Sequence, residues 1–302
     1  MPSSYELSLK IADIVFYVSS PDQTVKLKLD EAALRFSCHA AGPDVQIAAL
    51  WRDLSNGVIT GRKIFDPGPS WKLYEQEDVY LFAFYTQASG SVPYKAARMS
   101  RDLTRGEVLL HTPFFNPDEA LFPLDYPLDE LLFVNLLSRG HGAELHACGI
   151  TDAKGNGHLF VGQSGAGKST IGRLLTEMPG YAILSDDRIA VRMKDGQPWI
   201  FGTPWHGEAE FSSPDSAPLC TILFLAKDST NKLVPLPEAT VVGRLLACSF
   251  PPFFDPKGLE FTLSFFEEMA RDVPSYELRF RPDSDVLSLI ERLASGSLRL
   301  RK

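Results

Sequence analysis

The chain has 302 residues, 44% hydrophobic and 23% charged, a composition that suits a soluble globular protein with room for two modest domains. Its net charge of −8 argues against a nucleic acid or an anionic membrane surface as the main partner, and no stretch approaches a membrane-spanning length. Cys38, Cys148, Cys220 and Cys248 stand far apart without a C-x-x-C pair, which indicates neither a zinc site nor a disulfide framework.

The opening MPSSYELSLKIADIVFYVSS lacks a basic region leading into a continuous apolar run, so no signal peptide is expected and the cytoplasm is the expected location. Short β-like runs then dominate: Tyr5 to Leu9, Ile14 to Val18, Val25 to Leu29, Val45 to Leu50, Trp71 to Tyr74, Val79 to Tyr85 and Gly106 to Leu110. Turn signals at Ala41-Gly42-Pro43-Asp44, Ser55-Asn56-Gly57 and Asp66-Pro67-Gly68-Pro69 separate them. In Tyr80 to Tyr85 aromatic residues alternate with apolar ones, as in a strand covered on both faces. Proline punctuation from Thr112 to Pro127 marks the connection between a β-rich domain, 1–122, and a second domain, 123–302. Leu128 to Leu137, with Asp129 and Glu130 early, predicts a buried helix whose acidic start matches the dipole.

Ala143 to Thr151 and Gly157 to Gly162 predict two strands joined by a hairpin loop, Asp152 to Asn156. The second strand runs into Gly162-Gln163-Ser164-Gly165-Ala166-Gly167-Lys168-Ser169-Thr170, which fits the phosphate-binding pattern G-x-x-x-x-G-K-[ST]. Gly162, Gly165 and Gly167 let the backbone wrap an anion with its N–H groups pointing inward. Lys168 is placed for the β and γ phosphates, and the Ser169 hydroxyl is a hard oxygen donor for Mg²⁺. Ser169 to Thr176 reads as the helix whose N-terminus faces that anion. A hairpin feeding this loop implies a mixed, largely antiparallel sheet, not a purely parallel one.

The next apolar run, Tyr181 to Leu184, closes on Ser185-Asp186-Asp187, two adjacent carboxylates suited to metal binding and to orienting an attacking hydroxyl. Strand-like runs follow at Ile189 to Arg192, Trp199 to Gly202, Thr221 to Leu225 and Tyr276 to Phe280, with helices predicted at about 238–249, 258–272 and 284–295.

The string His146-Ala147-Cys148, a hairpin, GQSGAGKST, one helix and LSDD resembles the catalytic domain of HPr kinase/phosphorylase and, more distantly, the nucleotide site of phosphoenolpyruvate carboxykinase. The resemblance covers roughly residues 126–250. It implies an α/β (α+β) fold of that P-loop kinase type, with ATP and Mg²⁺ as cofactors. It also implies His146 beside Asp186, with Asp186 as general base on a serine hydroxyl, and Asp187 and Ser169 at the metal. A metal-binding glutamate is implied at Glu208, with Glu210 behind it. The glycine- and arginine-containing signature of the phosphorylase is missing after that glutamate, where Ser212 to Leu219 run instead, so phosphorylase activity is not expected.

The expectation is an ATP-dependent kinase acting on a protein or peptide hydroxyl, with self-association expected by analogy alone. Two rival readings stay open: a nucleotide-binding regulatory protein without phosphotransfer, and a carboxykinase-like enzyme for a small carboxylate. GTP or pyrophosphate as donor also stays open. His141 competes with His146, His206 and Trp205 are possible site contacts, and Arg188 and Arg244 are available for transition-state charge.

Overall fold

Short strands with period-two burial build the first of two compact units, Met1–Leu136; the second is Leu137–Lys302. The computed structural model describes residues 4–39, 42–55, 57–252 and 254–295, so Ala41 and Asn56 of the expected turns lie outside the described residues. The first unit holds β1 (Glu6–Ile11), β2 (Ile14–Ser19), a one-turn helix α1 (Glu31–Leu34), β3 (Val45–Arg52), β4 (Arg62–Phe65), β5 (Trp71–Glu75), β6 (Val79–Phe84), β7 (Lys95–Ser100) and β8 (Arg105–His111). They form one eight-stranded sheet in the order β1-β2-β3-β8-β7-β6-β5-β4, parallel at β2–β3 and β3–β8 and antiparallel elsewhere.

The expected strand over Val25 to Leu29 is absent. Val25 and Leu27 are buried in alternation, but Leu27 makes only isolated bridges, to Ser4 and Leu121, so period-two burial arises there without a ladder. Conversely, β7 lacks β-branched and aromatic residues, yet pairs on both sides with β6 and β8. Context overrides its weak strand propensity. The doubly covered strand is β6, where Leu81, Phe82, Ala83 and Phe84 are all fully buried.

Helix α2 (Leu128–Leu137) carries the division between the units, downstream of the boundary drawn after residue 122. The second unit continues with β9 (Ala143–Thr151), β10 (Gly157–Val161), α3 (Lys168–Thr176), β11 (Ala182–Ser185), β12 (Arg188–Lys194), β13 (Gln197–Gly202), β14 (Ser216–Lys227), β15 (Lys232–Pro235), α4 (Glu238–Ala247), α5 (Pro256–Asp272), β16 (Ser275–Phe280) and α6 (Asp285–Ala294). As the hairpin predicts, β9 and β10 are antiparallel, while β10 and β14 run parallel, as do β14 and β16; the remaining pairs are antiparallel.

This sheet is apolar on both faces, as a strand between two helical layers must be. Leu159 and Val161 of β10 and Ile222 and Phe224 of β14 pack with Val241, Leu245, Phe265 and Phe266 of α4 and α5. Phe160, Leu223 and Leu225 face the other way, against Ile171 and Leu175 of α3 and Val286 and Ile290 of α6. The unit is a mixed α/β three-layer arrangement, and β10 lies in its middle. Among the described residues no helix is long and apolar enough to cross a membrane.

The β9–β10 turn is held by a buried carboxylate. Asp152 accepts from the N–H groups of Lys154 (2.8 Å) and Asn156 (2.9 Å), from Asn156 Nδ2 (3.0 Å) and from His158 Nε2 (3.2 Å). Burial pushes the Asp152 carboxyl up, but these hydrogen bonds outweigh it and leave its pKa below the ordinary value. Burial also pulls the His158 pKa down, against the opposing effect of Asp152. Both groups therefore hold fewer protons folded than unfolded. Stability should be full above about pH 6.5, fall as pH drops toward the lowered His158 pKa, and fall again below about pH 4 through Asp152. Urea unfolding of wild type and His158→Gln between pH 7.5 and 5 tests this: the variant should lose the first decline, and parallel profiles would contradict the assignment.

Candidate active site

The loop from Gly162 to Gly167 leaves the end of β10 and enters α3 at Lys168. Gly167 caps the helix with φ +108°, and a Cβ there would stand 2.6 Å from Cζ of Phe280, so both conformation and space require glycine. Ile171 is the first N–H of the helix to bond back, to Gly167 O at 2.9 Å. The amides of Lys168, Ser169 and Thr170 precede it, at the positive end of the helix dipole. Lys168 is buried and curled over its own loop, with Nζ donating to the carbonyls of Gly162 (2.8 Å) and Gln163 (3.4 Å). Burial pulls its pKa down, opposed mainly by the charge of Asp187.

Most of the residues singled out from sequence meet at one cavity of about 490 Å³. It is lined by Ser164, Gly165, Gly167, Lys168, Ser169 and Thr170 of the loop and helix, by His146, Asp186, Asp187 and Glu208, and by Gly207 and Lys227. Gly162, Gln163 and Ala166 belong to the loop without forming the wall. Glu210, His141, Trp205, His206 and Arg244 are not on the wall either. Arg244 instead pairs with Glu277 at 2.6 Å and lies over Phe224, and His206 Nδ1 stands 3.0 Å from Gly207 O.

The two aspartates have different partners. Asp186 is 2% exposed, and its carboxylate accepts from the N–H of Gly207 (Oδ1, 2.9 Å) and of Ala209 (Oδ2, 3.1 Å). A Cβ on Gly207 would fall 2.8 Å from that carboxylate, which explains the glycine. Asp187 is half-buried; Oδ1 lies 2.8 Å from His146 Nε2 and Oδ2 2.9 Å from Arg188 Nη1. Here the geometry departs from the expected pairing of His146 with Asp186: the histidine is bound to Asp187. Register is the reason. His146 of β9 stands opposite Arg188 of β12, and the Ala147 N–H donates to Asp187 O at 3.0 Å, so Asp187 abuts β9 while Asp186 points toward residues 207–209. Burial pushes the Asp187 carboxyl up, but the His146 hydrogen bond and the charges of Arg188, His146 and Lys168 outweigh it, and its pKa lies below the ordinary range. The Arg188 guanidinium also stacks 4.1 Å over Phe250, whose ring is 6.3 Å from that of His146.

Among the described residues no three His, Cys, Asp or Glu side chains are gathered as a ready-made metal site. The donors present are Ser169 Oγ and the carboxylates of Asp187 and Glu208, and the side chains of Ser169 and Glu208 have no hydrogen-bond or ion-pair partner among the described residues. Such a set fits Mg²⁺, which binds one or two carboxylates and takes its other ligands from phosphate and water. Lys227 was missed from sequence. It ends β14, the parallel neighbour of the strand that feeds the loop, and ends of parallel strands are where ligands bind.

No family model matches the chain, and no curated protein matches it in sequence. Among solved structures it is similar to the Hpr(Ser) kinase/phosphatase from Coxiella burnetii, at 14% identity and a TM-score of 0.30, over 51% of this chain and 89% of that one. That likeness is distant.

Since both Asp186 oxygens hold the backbone of residues 207–209, Asp186→Ala should free that segment and leave two amides without acceptors, at about 1–3 kcal/mol each. Hydrogen exchange of the peptide spanning 205–211 should accelerate sharply in the variant; unchanged exchange would show that the anchor does not hold the loop.

Proposed function

We propose that the chain is a Mg²⁺- and ATP-dependent phosphotransferase acting on a hydroxyl, that of a serine in a protein or peptide. One observation carries the reading: the His146–Asp187 pair opens onto the same cavity as Lys168, Ser169 and the loop backbone. A proton acceptor and a polyphosphate cradle are the two halves of a phosphoryl-transfer site. The resemblance of the P-loop, Asp pair and histidine to HPr kinases supports serine as the acceptor.

The loop N–H groups and Lys168 would hold the phosphates, with Lys168 exchanging the carbonyls of Gly162 and Gln163 for phosphate oxygens. Ser169, Asp187 and Glu208 would hold Mg²⁺, which supplies neutralisation of phosphate charge. The carboxylate of Asp187 accepts from His146 Nε2, the tautomer whose Nδ1 lone pair is left as the acceptor. As the acceptor oxygen bonds to the γ phosphorus, its proton passes to His146 Nδ1 and ADP leaves. Asp186, the base implied by the resemblance, takes the role of anchor for the loop that carries Glu208, because both of its oxygens are engaged by backbone. Positioning and charge neutralisation supply most of such a rate enhancement.

Transfer of labelled γ phosphate to a serine peptide library, alongside Mg·ATP titration, tests the proposal. His146→Gln should lower kcat by about 10²–10⁴-fold while leaving the affinity for Mg·ATP nearly unchanged. Asp187→Asn should also lower kcat and shift the acidic limb of the pH–rate profile. Full activity in His146→Gln would refute the proton assignment. Tight nucleotide binding with neither ADP release nor labelled peptide would mark a binding protein instead.

A further inference from the structure

Lys227 is the cavity's second lysine, and no part of the chemistry above uses it. Its ammonium makes no hydrogen bond or ion pair among the described residues, although Asp186, Asp187 and Glu208 line the same cavity. Two of those acids are otherwise disposed, Asp186 on the backbone of 207 and 209 and Asp187 on His146 and Arg188, and Glu208 pairs with no side chain among the described residues. Its neighbour Asp228 is occupied by Lys232 at 3.6 Å and by the N–H of Thr230.

Its position follows from the sheet. β10 and β14 are parallel with Val161 opposite Phe224, and a Cβ on Gly162 would lie 3.6 Å from that of Leu225. The two chains therefore still run side by side where the loop begins. On its other side Lys227 is in register with Phe280, the ring that lies against Gly167. Lys227 thus stands on the flank of the loop formed by β14 and β16, whereas His146 and Asp187 reach the cavity from the opposite flank, through β9. An unpaired cation against an anion cradle, on the side away from the proton acceptor, is suited to the donor and not to the acceptor hydroxyl.

We infer that Lys227 is a second cationic ligand for the polyphosphate chain of the donor, acting beside Lys168. This rests on the reading of the cavity as a nucleotide site and adds a contact to it. Lysine suits the task, because a point charge on a flexible stem follows a phosphate through transfer without demanding fixed geometry.

The test is calorimetric binding of Mg·ATP and Mg·pyrophosphate to wild type, Lys227→Met and Lys227→Arg, with circular dichroism confirming that each is folded. Lys227→Met should weaken both ligands by about tenfold or more, in keeping with the loss of a charge-assisted contact, and Lys227→Arg should recover most of it. Unchanged affinities in Lys227→Met would overturn the inference alone. A loss confined to ATP and absent with pyrophosphate would also overturn it, by placing Lys227 on the nucleoside. A wild type that binds neither ligand would overturn the nucleotide-site reading, and the inference with it.

Discussion

Asp186 is a carboxylate taken almost wholly out of water, and the site is arranged around how that burial is made tolerable. A buried charge costs several kcal/mol unless hydrogen bonds replace its hydration. Here the replacement donors are the amides of Gly207 and Ala209, residues that follow the end of β13. Satisfying Asp186 therefore ties the turn after β11 to a second segment and fixes Glu208, which lies between the two donors. The field of the carboxylate reaches further: Cys148 behind it has its thiol pushed up to about 12, by burial first and by Asp186 second. A thiol so protonated packs as an apolar group.

The anchor also decides what its neighbour does. Asp186 and Asp187 form the bend between β11 and β12; while Asp186 is held by residues 207–209, the backbone carbonyl of Asp187 accepts from Ala147 of β9 and its side chain meets His146. One carboxylate holds the wall and the next holds the histidine. On the far side of β10, Phe280 packs under Gly167 and keeps the loop close to the sheet. Lys168 keeps its ammonium on loop carbonyls in a place where burial disfavours charge. An arriving anion gives that lysine a better partner than neutral carbonyls do.

What was legible in the sequence was what local rules dictate. Glycines, Lys168 and Ser169 at fixed spacing mark the loop, and alternating runs around Asp152 to Asn156 give the hairpin and with it the mixed sheet. Long-range pairing was not legible. Lys95-Ala-Ala-Arg-Met-Ser becomes a strand only because β6 and β8 close on it, and Val25 to Leu29 fails as one because its bridges, Leu27 to Ser4 and to Leu121, stay isolated and do not extend into a ladder. The partner of His146 depended on the register of β9 against β12, which a one-residue slip would have reversed. Lys227 was invisible for a similar reason: its proximity to the loop comes from a parallel pairing across about sixty residues of chain.

The order of strands separates charges that would otherwise neutralise one another. A phosphoryl-transfer site needs cations on the phosphates and a proton acceptor near the hydroxyl, and in a low-dielectric cleft the two sets would collapse into ion pairs if they shared one side. With β10 between β9 and β14, the carboxylates and His146 come from one flank and Lys227 from the other, with Lys168 at the centre under its own loop. Arg188 sits on the acidic flank, but it is committed to Asp187 and stacked on Phe250, so it tempers the carboxylate without entering the cradle. On the proposed reading, a polyphosphate bridging the two flanks would supply the negative charge that the lysines lack in the protein itself, with its terminal phosphorus between the cationic side and the histidine. The mixed sheet, which sets an antiparallel strand on one side of the loop and a parallel one on the other, is what makes that division of charge possible.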